Sequence, residues 1–240
     1  MQEKQSPDQR TPPSSHPLSE KAAFLASSDI FGHLPLAEVS ELERLATVIT
    51  SPPGRIFYRP GEHGTTLFLL NTGSVQLYYI SQDGRKLITA TLEAGASFGE
   101  LPLFGQTLHT SFAETVTSAQ LYIFNRQDIE YLVSQKPTIA LGFLTTMTQR
   151  FTQLEAQLID TTFRSTAARL ATLLLQLAHT QDDALVVDGF SHEELAERLG
   201  VYRETVSAVL RELKDACTIT SSRKHITISQ PTRLKEIAAL

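Results

Sequence analysis

Hydrophobic residues follow one rhythm in the first half of the chain and another in the second. From Arg55 to Phe124 they fall in short runs separated by turn signals. "RIFYRPGEHGTTLFLLNTGSVQLYYI" sets Pro60-Gly61 and Asn71-Thr72-Gly73 between stretches rich in Phe, Leu, Val and Tyr. Asp83-Gly84, between "LYYIS" and "KLITATL", predicts a two-residue hairpin. Strands this short and this regularly punctuated predict an all-β sandwich or jelly roll. Gly61, Gly73 and Gly84 are accounted for as turns. "GASFGELPLFGQTLHTSF", Gly95 to Phe112, interrupts the rhythm with a short apolar turn after Phe98-Gly99-Glu100-Leu101.

From Lys136 the period lengthens. Pro137 suits a helix start, and neither proline nor glycine occurs between Gly142 and Gly189. Ala140, Leu144, Met147, Phe151, Leu154, Leu158 and Thr161 are spaced alternately by four and three, the seam of a two-stranded coiled coil. Gln149, Arg150, Gln153, Glu155 and Gln157 lie off that seam and are predicted to face water. The seam could instead pack on the roll of its own chain, but a helix in that role usually carries a broader apolar stripe.

The C-terminal part reads as a second, smaller domain beginning near Asp160 to Thr166. "TAARLATLLLQLAH" is apolar on most faces and predicts a core helix. "FSHEELAERLGVYRETVSAVLREL" fits a helix-turn-helix. Ser191 and Glu194 form a capping box, Leu195, Ala196 and Leu199 a buried face, Gly200 the tight turn, and Val206, Val209, Leu210 and Leu213 the inner face of the second helix. Tyr202, Arg203, Glu204, Thr205, Ser207, Ala208 and Arg211 are left pointing outward. In "CTITSSRKHITIS" apolar and polar residues alternate around a basic tip, predicting a hairpin wing.

Composition narrows the function. At 240 residues the chain has room for two modest cores, and no apolar run approaches the roughly 20 residues that cross a bilayer, so a cytoplasmic chain is expected. Residues 1–21, rich in Pro, Ser and Gln, predict a disordered leader. The single cysteine, Cys217, excludes an internal disulfide and a cysteine-held zinc or iron-sulfur cluster; it is expected to be a small buried apolar residue. Net charge is -5, so nucleic-acid binding has to rest on local features. Tyr202 to His225 is locally cationic, whereas Gln181 to Arg198 is strongly acidic. No nucleophile, base and orienting group occur together, so no enzyme is expected.

The order "PGE", "LFLLNTGSV", "DGRK", "FGELPLF" and "RETV" resembles the Crp/Fnr family of transcription regulators over roughly residues 24 to 230. The resemblance implies an α+β chain with four parts. These are the leader (1–21), an effector-sensing, cyclic-nucleotide-binding-type β jelly roll (22–136), a long coiled-coil dimerisation helix (137–162) and a winged helix-turn-helix (163–240). It makes Leu144, Met147, Phe151, Leu154 and Leu158 the interface of a parallel homodimer. It implies a twofold operator in double-stranded DNA and RNA polymerase as a partner. Arg203, Glu204, Ser207 and Ala208 would face base edges, while Thr205, Arg211, Arg223 and Lys224 would contact phosphate. Arg203 suits guanine and Glu204 cytosine; Ala208 stands where many members carry another arginine.

The implied effector pocket comprises Gly99, Glu100, Leu101, His109, Thr110, Ser111 and Arg150. Glu100 falls at the family's ribose-binding glutamate. Thr110, however, occupies the place of its phosphate-binding arginine, and a hydroxyl cannot replace a guanidinium fork. Leu154 and Glu155 stand where purine-contacting hydroxyl residues would be. The expected effector is therefore an unknown small molecule other than cyclic AMP, with effector-independent DNA binding or a cyclic-nucleotide-binding module as alternatives. His109 invites a haem reading, since the family includes haem sensors, but none of the seven histidines has a ligand spacing. Iron-sulfur members need N-terminal cysteines absent here.

Overall fold

A computed structural model describes residues 19–105 and 108–240. The predicted leader lies outside these residues up to 18. Its last two positions are helical rather than disordered, because Ser19 caps α1 (Glu20–Leu25) by accepting from the Ala22 N–H. After α2 (Leu36–Leu45) the chain enters a roll of eight strands: β1 (Thr47–Ser51), β2 (Ile56–Tyr58), β3 (Thr66–Thr72), β4 (Val75–Ile80), β5 (Lys86–Leu92), β6 (Ser97–Phe98), β7 (Phe112–Thr115) and β8 (Ala119–Asn125). The short helix α3 (Leu101–Phe104) lies between β6 and β7.

The strands form two antiparallel sheets, β1-β8-β3-β6 and β2-β7-β4-β5. Alternation along β3 shows how the sequence builds both sides: Leu70 faces the interior with Tyr58, Val75, Phe98 and Leu121, while Leu67 and Leu69 face the covering helices. The β4–β5 hairpin is not the two-residue turn predicted. Gly84 donates to the Ser81 carbonyl at 3.0 Å and takes φ +83°, so Gln82-Asp83-Gly84 form a three-residue loop. A two-residue I′ turn needs positive φ at both positions, and among these residues only the glycine adopts it.

Helix α4 (Arg126–Gln135) leads into α5 (Pro137–Phe163), 27 residues long. Two stripes run along α5. Ile139, Gly142, Phe143 and Thr146 are buried on the roll, and a Cβ at Gly142 would sit 2.0 Å from the Ile30 carbonyl oxygen, so only glycine permits that approach. The heptad stripe points elsewhere: Leu144, Phe151, Leu154 and Leu158 are between 51 and 68% exposed, and Met147 is half-buried.

The C-terminal domain holds α6 (Thr166–Leu177), β9 (His179–Gln181), β10 (Ala184–Asp188), α7 (His192–Leu199), α8 (Arg203–Asp215), β11 (Ile219–Ser222), β12 (His225–Ile228) and α9 (Pro231–Ala238). Leu170, Leu174, Leu195, Leu210, Leu213, Ile226 and Leu234 share its core. Its sheet runs β11-β12-β10-β9. The β9–β10 hairpin was not predicted; it turns on Asp182-Asp183, both at positive φ, as a two-residue I′ turn requires. At the end of α8, Cys217 corrects an expectation: it is exposed, not buried. It takes φ +55°, and the bonds Cys217 N–H to Lys214 O and Thr218 N–H to Leu213 O make a Schellman stop, where glycine is usual.

Candidate nucleic-acid interface and sensor pocket

The capping box of α7 is formed as the sequence predicted: Ser191 Oγ accepts from the Glu194 N–H, and Glu194 returns its carboxylate to the Ser191 N–H at 2.6 Å. Gly200 closes α7 at φ +67°. Helix α8 then buries Val206, Val209, Leu210 and Leu213, which turns Arg203, Glu204, Ala208 and Arg211 to the surface. Thr205 and Ser207 are half-buried, and Ser207 is committed to its own domain, with its Oγ 2.8 Å from His192 Nδ1 on α7. Among the described residues no carboxylate pairs with Arg203, Arg211 or Arg223. Lys224 does have a partner, Glu194 at 3.4 Å. The wing is a tight hairpin with Arg223 and Lys224 at its tip, beyond the Ser222–His225 pair. Exposed cations thus occupy both the helix and the wing of a domain with its own apolar core.

The predicted effector residues divide among three spaces: a small enclosed one beside Tyr58, a groove beside Leu101 and, for Arg150, an open cavity of about 550 Å³ that it lines with Asp29, Ala96, Gln149 and Gln153. Gly99 takes φ +84°, and a Cβ there would meet the Thr66 carbonyl oxygen at 2.7 Å. It turns the chain into α3, whose N-cap, Glu100, is 5% exposed. Arg150 reaches this carboxylate from α5, with Nη1 2.5 Å from Glu100 Oε1. Its Nη2 donates to the Ser97 carbonyl and lies 3.6 Å from Asp29 Oδ2. Arg150 is therefore half-buried and paired, not the solvated cation that its position off the heptad seam had suggested. His109 is buried and stacks on Tyr58 with ring centroids 3.6 Å apart. Burial lowers the imidazole pKa and raises that of the Tyr58 phenol. The Nε2 atom lies 2.7 Å from where a Gly64 Cβ would be, which leaves no room for a porphyrin at that nitrogen.

Together Tyr58, Gly99, Glu100, His109, Thr110 and Ser111 enclose only about 30 Å³. Ligand pockets run to roughly 300–1,000 Å³. On the other side of Glu100 and Thr110, Leu101, Phe104, Phe143, Leu144 and Met147 line an open groove of about 660 Å³.

Residues 48–136 match the cyclic nucleotide-binding domain family, and residues 168–237 match the Crp-like helix-turn-helix domain family. The chain belongs to the Crp/Fnr family. It is 27% identical over 216 residues to the CRP-like cAMP-activated global transcriptional regulator of Mycobacterium tuberculosis, covering 88% of this chain and 96% of the relative. It is 26% identical over 212 residues to the global nitrogen regulator of Synechococcus elongatus, covering 85 and 91%. In fold it is similar to a Crp/Fnr-family protein from Eubacterium rectale, with a TM-score of 0.75 at 19% identity over 89% of this chain and 99% of the other. A Crp/Fnr-family regulator from Thermus thermophilus gives 0.62 at 27% identity over 81 and 99%.

As a Crp/Fnr protein, the chain is a DNA-binding transcription regulator by family. No described helix is long and apolar enough to cross a membrane. Sequence reasoning missed what fills the sensor pocket. Asp29, Ser97 and Glu100 lie 121, 53 and 50 residues from Arg150 in sequence, so no local pattern joins them.

Proposed function

We propose that two copies of this chain, paired through Leu144, Met147, Phe151, Leu154 and Leu158, bind a twofold-symmetric DNA operator. Each copy presents one α8, to half-sites about 34 Å apart. The observation that carries this reading is Arg203 and Glu204 exposed side by side at the start of α8, over four buried apolar residues. Arg203 would pair with guanine O6 and N7 and Glu204 with cytosine N4, while Thr205, Arg211, Arg223 and Lys224 hold phosphates. The protein acts by binding, not catalysis, in the cytoplasm, with RNA polymerase as the downstream partner.

Duplexes selected by the protein from a randomised library test this reading. A symmetric site of two G·C-containing half-sites supports it, and enrichment of no sequence overturns it. Sedimentation tests the pairing: Met147→Ala with Phe151→Ala should convert a dimer to a monomer, and a doubly truncated chain still dimeric at low micromolar concentration would remove the seam.

A second reading, in which the free protein binds DNA without any effector, is favoured by the self-paired sensor pocket. Arg150 satisfies Glu100, and the space enclosed between Glu100, Thr110 and Ser111 is about 30 Å³, far smaller than a nucleotide. Under this reading cyclic AMP leaves operator affinity unchanged. Under the effector reading, a small molecule that separates Arg150 from Glu100 changes it.

A further inference from the structure

We infer that the tip of the β4–β5 hairpin is a strut from the sensor roll that sets the angle of the recognition helix, with Tyr202 as its positioning residue; this rests on the DNA-binding reading of α8. Tyr202 is the N-cap of α8, yet its side chain caps nothing in its own helix. Its phenol instead donates to Asp83 at 2.5 Å, 119 residues away in the chain. The Arg85 guanidinium lies 4.7 Å from the centroid of the Tyr202 ring, and its Nε donates to the same Asp83 carboxylate at 3.0 Å. Hydrogen bonds from Ser81 and Tyr202 hold Asp83 below the usual carboxylate range, so it stays an acceptor.

Two further contacts flank this triad. Lys86 reaches Glu197 of α7 at 3.3 Å, with both side chains about three-quarters buried. The turn at Gly200 lies against Leu87, whose Cδ1 is 2.8 Å from where a glycine Cβ would be. Consecutive residues of one hairpin thus grip α7, the turn and the start of α8.

The grip leaves Arg203, Glu204 and Ala208 exposed, with Arg203 and Glu204 on a cleft that the hairpin tip also lines. A contact that silenced the helix would cover these residues. One that holds the residue just before them fixes their direction, and bidentate base contacts tolerate only about 10–20° of misalignment. The hairpin belongs to the roll, so the sensor reaches the reading helix directly as well as through α5.

Charge reversal separates this role from general electrostatics. The probes are a duplex selected in vitro by the unmodified full chain and a scrambled control. Lys86→Glu and Glu197→Lys shift net charge in opposite directions, so on electrostatics alone one weakens and the other tightens DNA binding. The strut predicts that each single variant lowers the selected-to-scrambled affinity ratio about tenfold and that the double variant restores it. A ratio unchanged in either single variant, or a double variant that does not recover, overturns the proposal. Should a charge variant melt early, Tyr202→Phe keeps the ring on Arg85 and removes one hydrogen bond. Its ratio should fall about threefold, and no fall overturns the strut. If the unmodified chain selects no duplex at all, the DNA-binding reading fails and the strut with it; selection followed by indifferent variants removes the strut alone.

Discussion

Arg150 holds the glutamate that the family resemblance places in a ligand site. Its guanidinium joins Glu100, Ser97 and Asp29 across three segments of chain, and the glutamate it serves is almost fully buried. Removing one partner of such a pair strands the other charge, so Arg150→Met should lower stability by about 2–3 kcal/mol in urea unfolding. Adding Glu100→Gln should restore most of it, since a neutral amide tolerates the site. His109 gives a pH signature. Burial depresses its pKa, so the native state prefers the neutral ring, and its contribution is complete above the unfolded pKa of about 6.5 and is lost as pH falls through the lower folded value. Urea midpoints at about pH 7.5 and about pH 5.5 should therefore diverge less in His109→Phe, which keeps a ring on Tyr58. Cys217 occupies a left-handed position in solvent, so Cys217→Gly should raise stability by about 1 kcal/mol, read as a higher melting temperature.

At the scale of elements, α5 shows which patterns sequence carries. Its heptad seam was legible because spacing alone defines it, and four of those residues, Leu144, Phe151, Leu154 and Leu158, are exposed on the single chain. Its roll-facing stripe was not, since Gly142 and Thr146 do not register as apolar and their partner, the loop carrying Asp29 and Ile30, is distant in sequence. The one local signal was a lone glycine inside a helical run, which often marks a close backbone approach. Gly142→Ala would gain about 1 kcal/mol of helix propensity but drive a methyl into the Ile30 carbonyl, an overpacking of about 1–3 kcal/mol with backbone that has little room to yield. Net destabilisation in thermal melting is expected, and a stabilised variant would show that the helix can lift. The Asp182-Asp183 turn went unread for a similar reason: two aspartates register first as charge, and their tolerance of positive φ registers second.

Over the whole molecule, the helix-turn-helix was almost fully legible, because capping box, glycine turn and inner-face spacing are local and mutually consistent. The sensor half was legible as a roll, but the pairing of Arg150 with Glu100 and Asp29 inside it was not. On DNA, the two classes of contact should separate in titrations at several salt concentrations. Arg203→Ala should lose about 1–3 kcal/mol of discrimination at one G·C pair, whereas Lys224→Ala should weaken all sequences alike and reduce the salt slope by about 1. The Lys224–Glu194 pair makes the second effect the smaller one, since phosphate has to compete with a carboxylate already in place.

Gly142 and Arg150 together anchor α5. The helix is held where its backbone meets the Ile30 carbonyl and again where Arg150 joins Glu100 and Asp29, and from Arg150 it runs on for about 13 residues, about 20 Å, to its end at Phe163. A tilt of about 5° beyond that anchorage would carry the far end roughly 2 Å. If the protein binds DNA through α8, a small rearrangement that tilts α5 at the roll would therefore be enlarged at the end that carries the recognition domain.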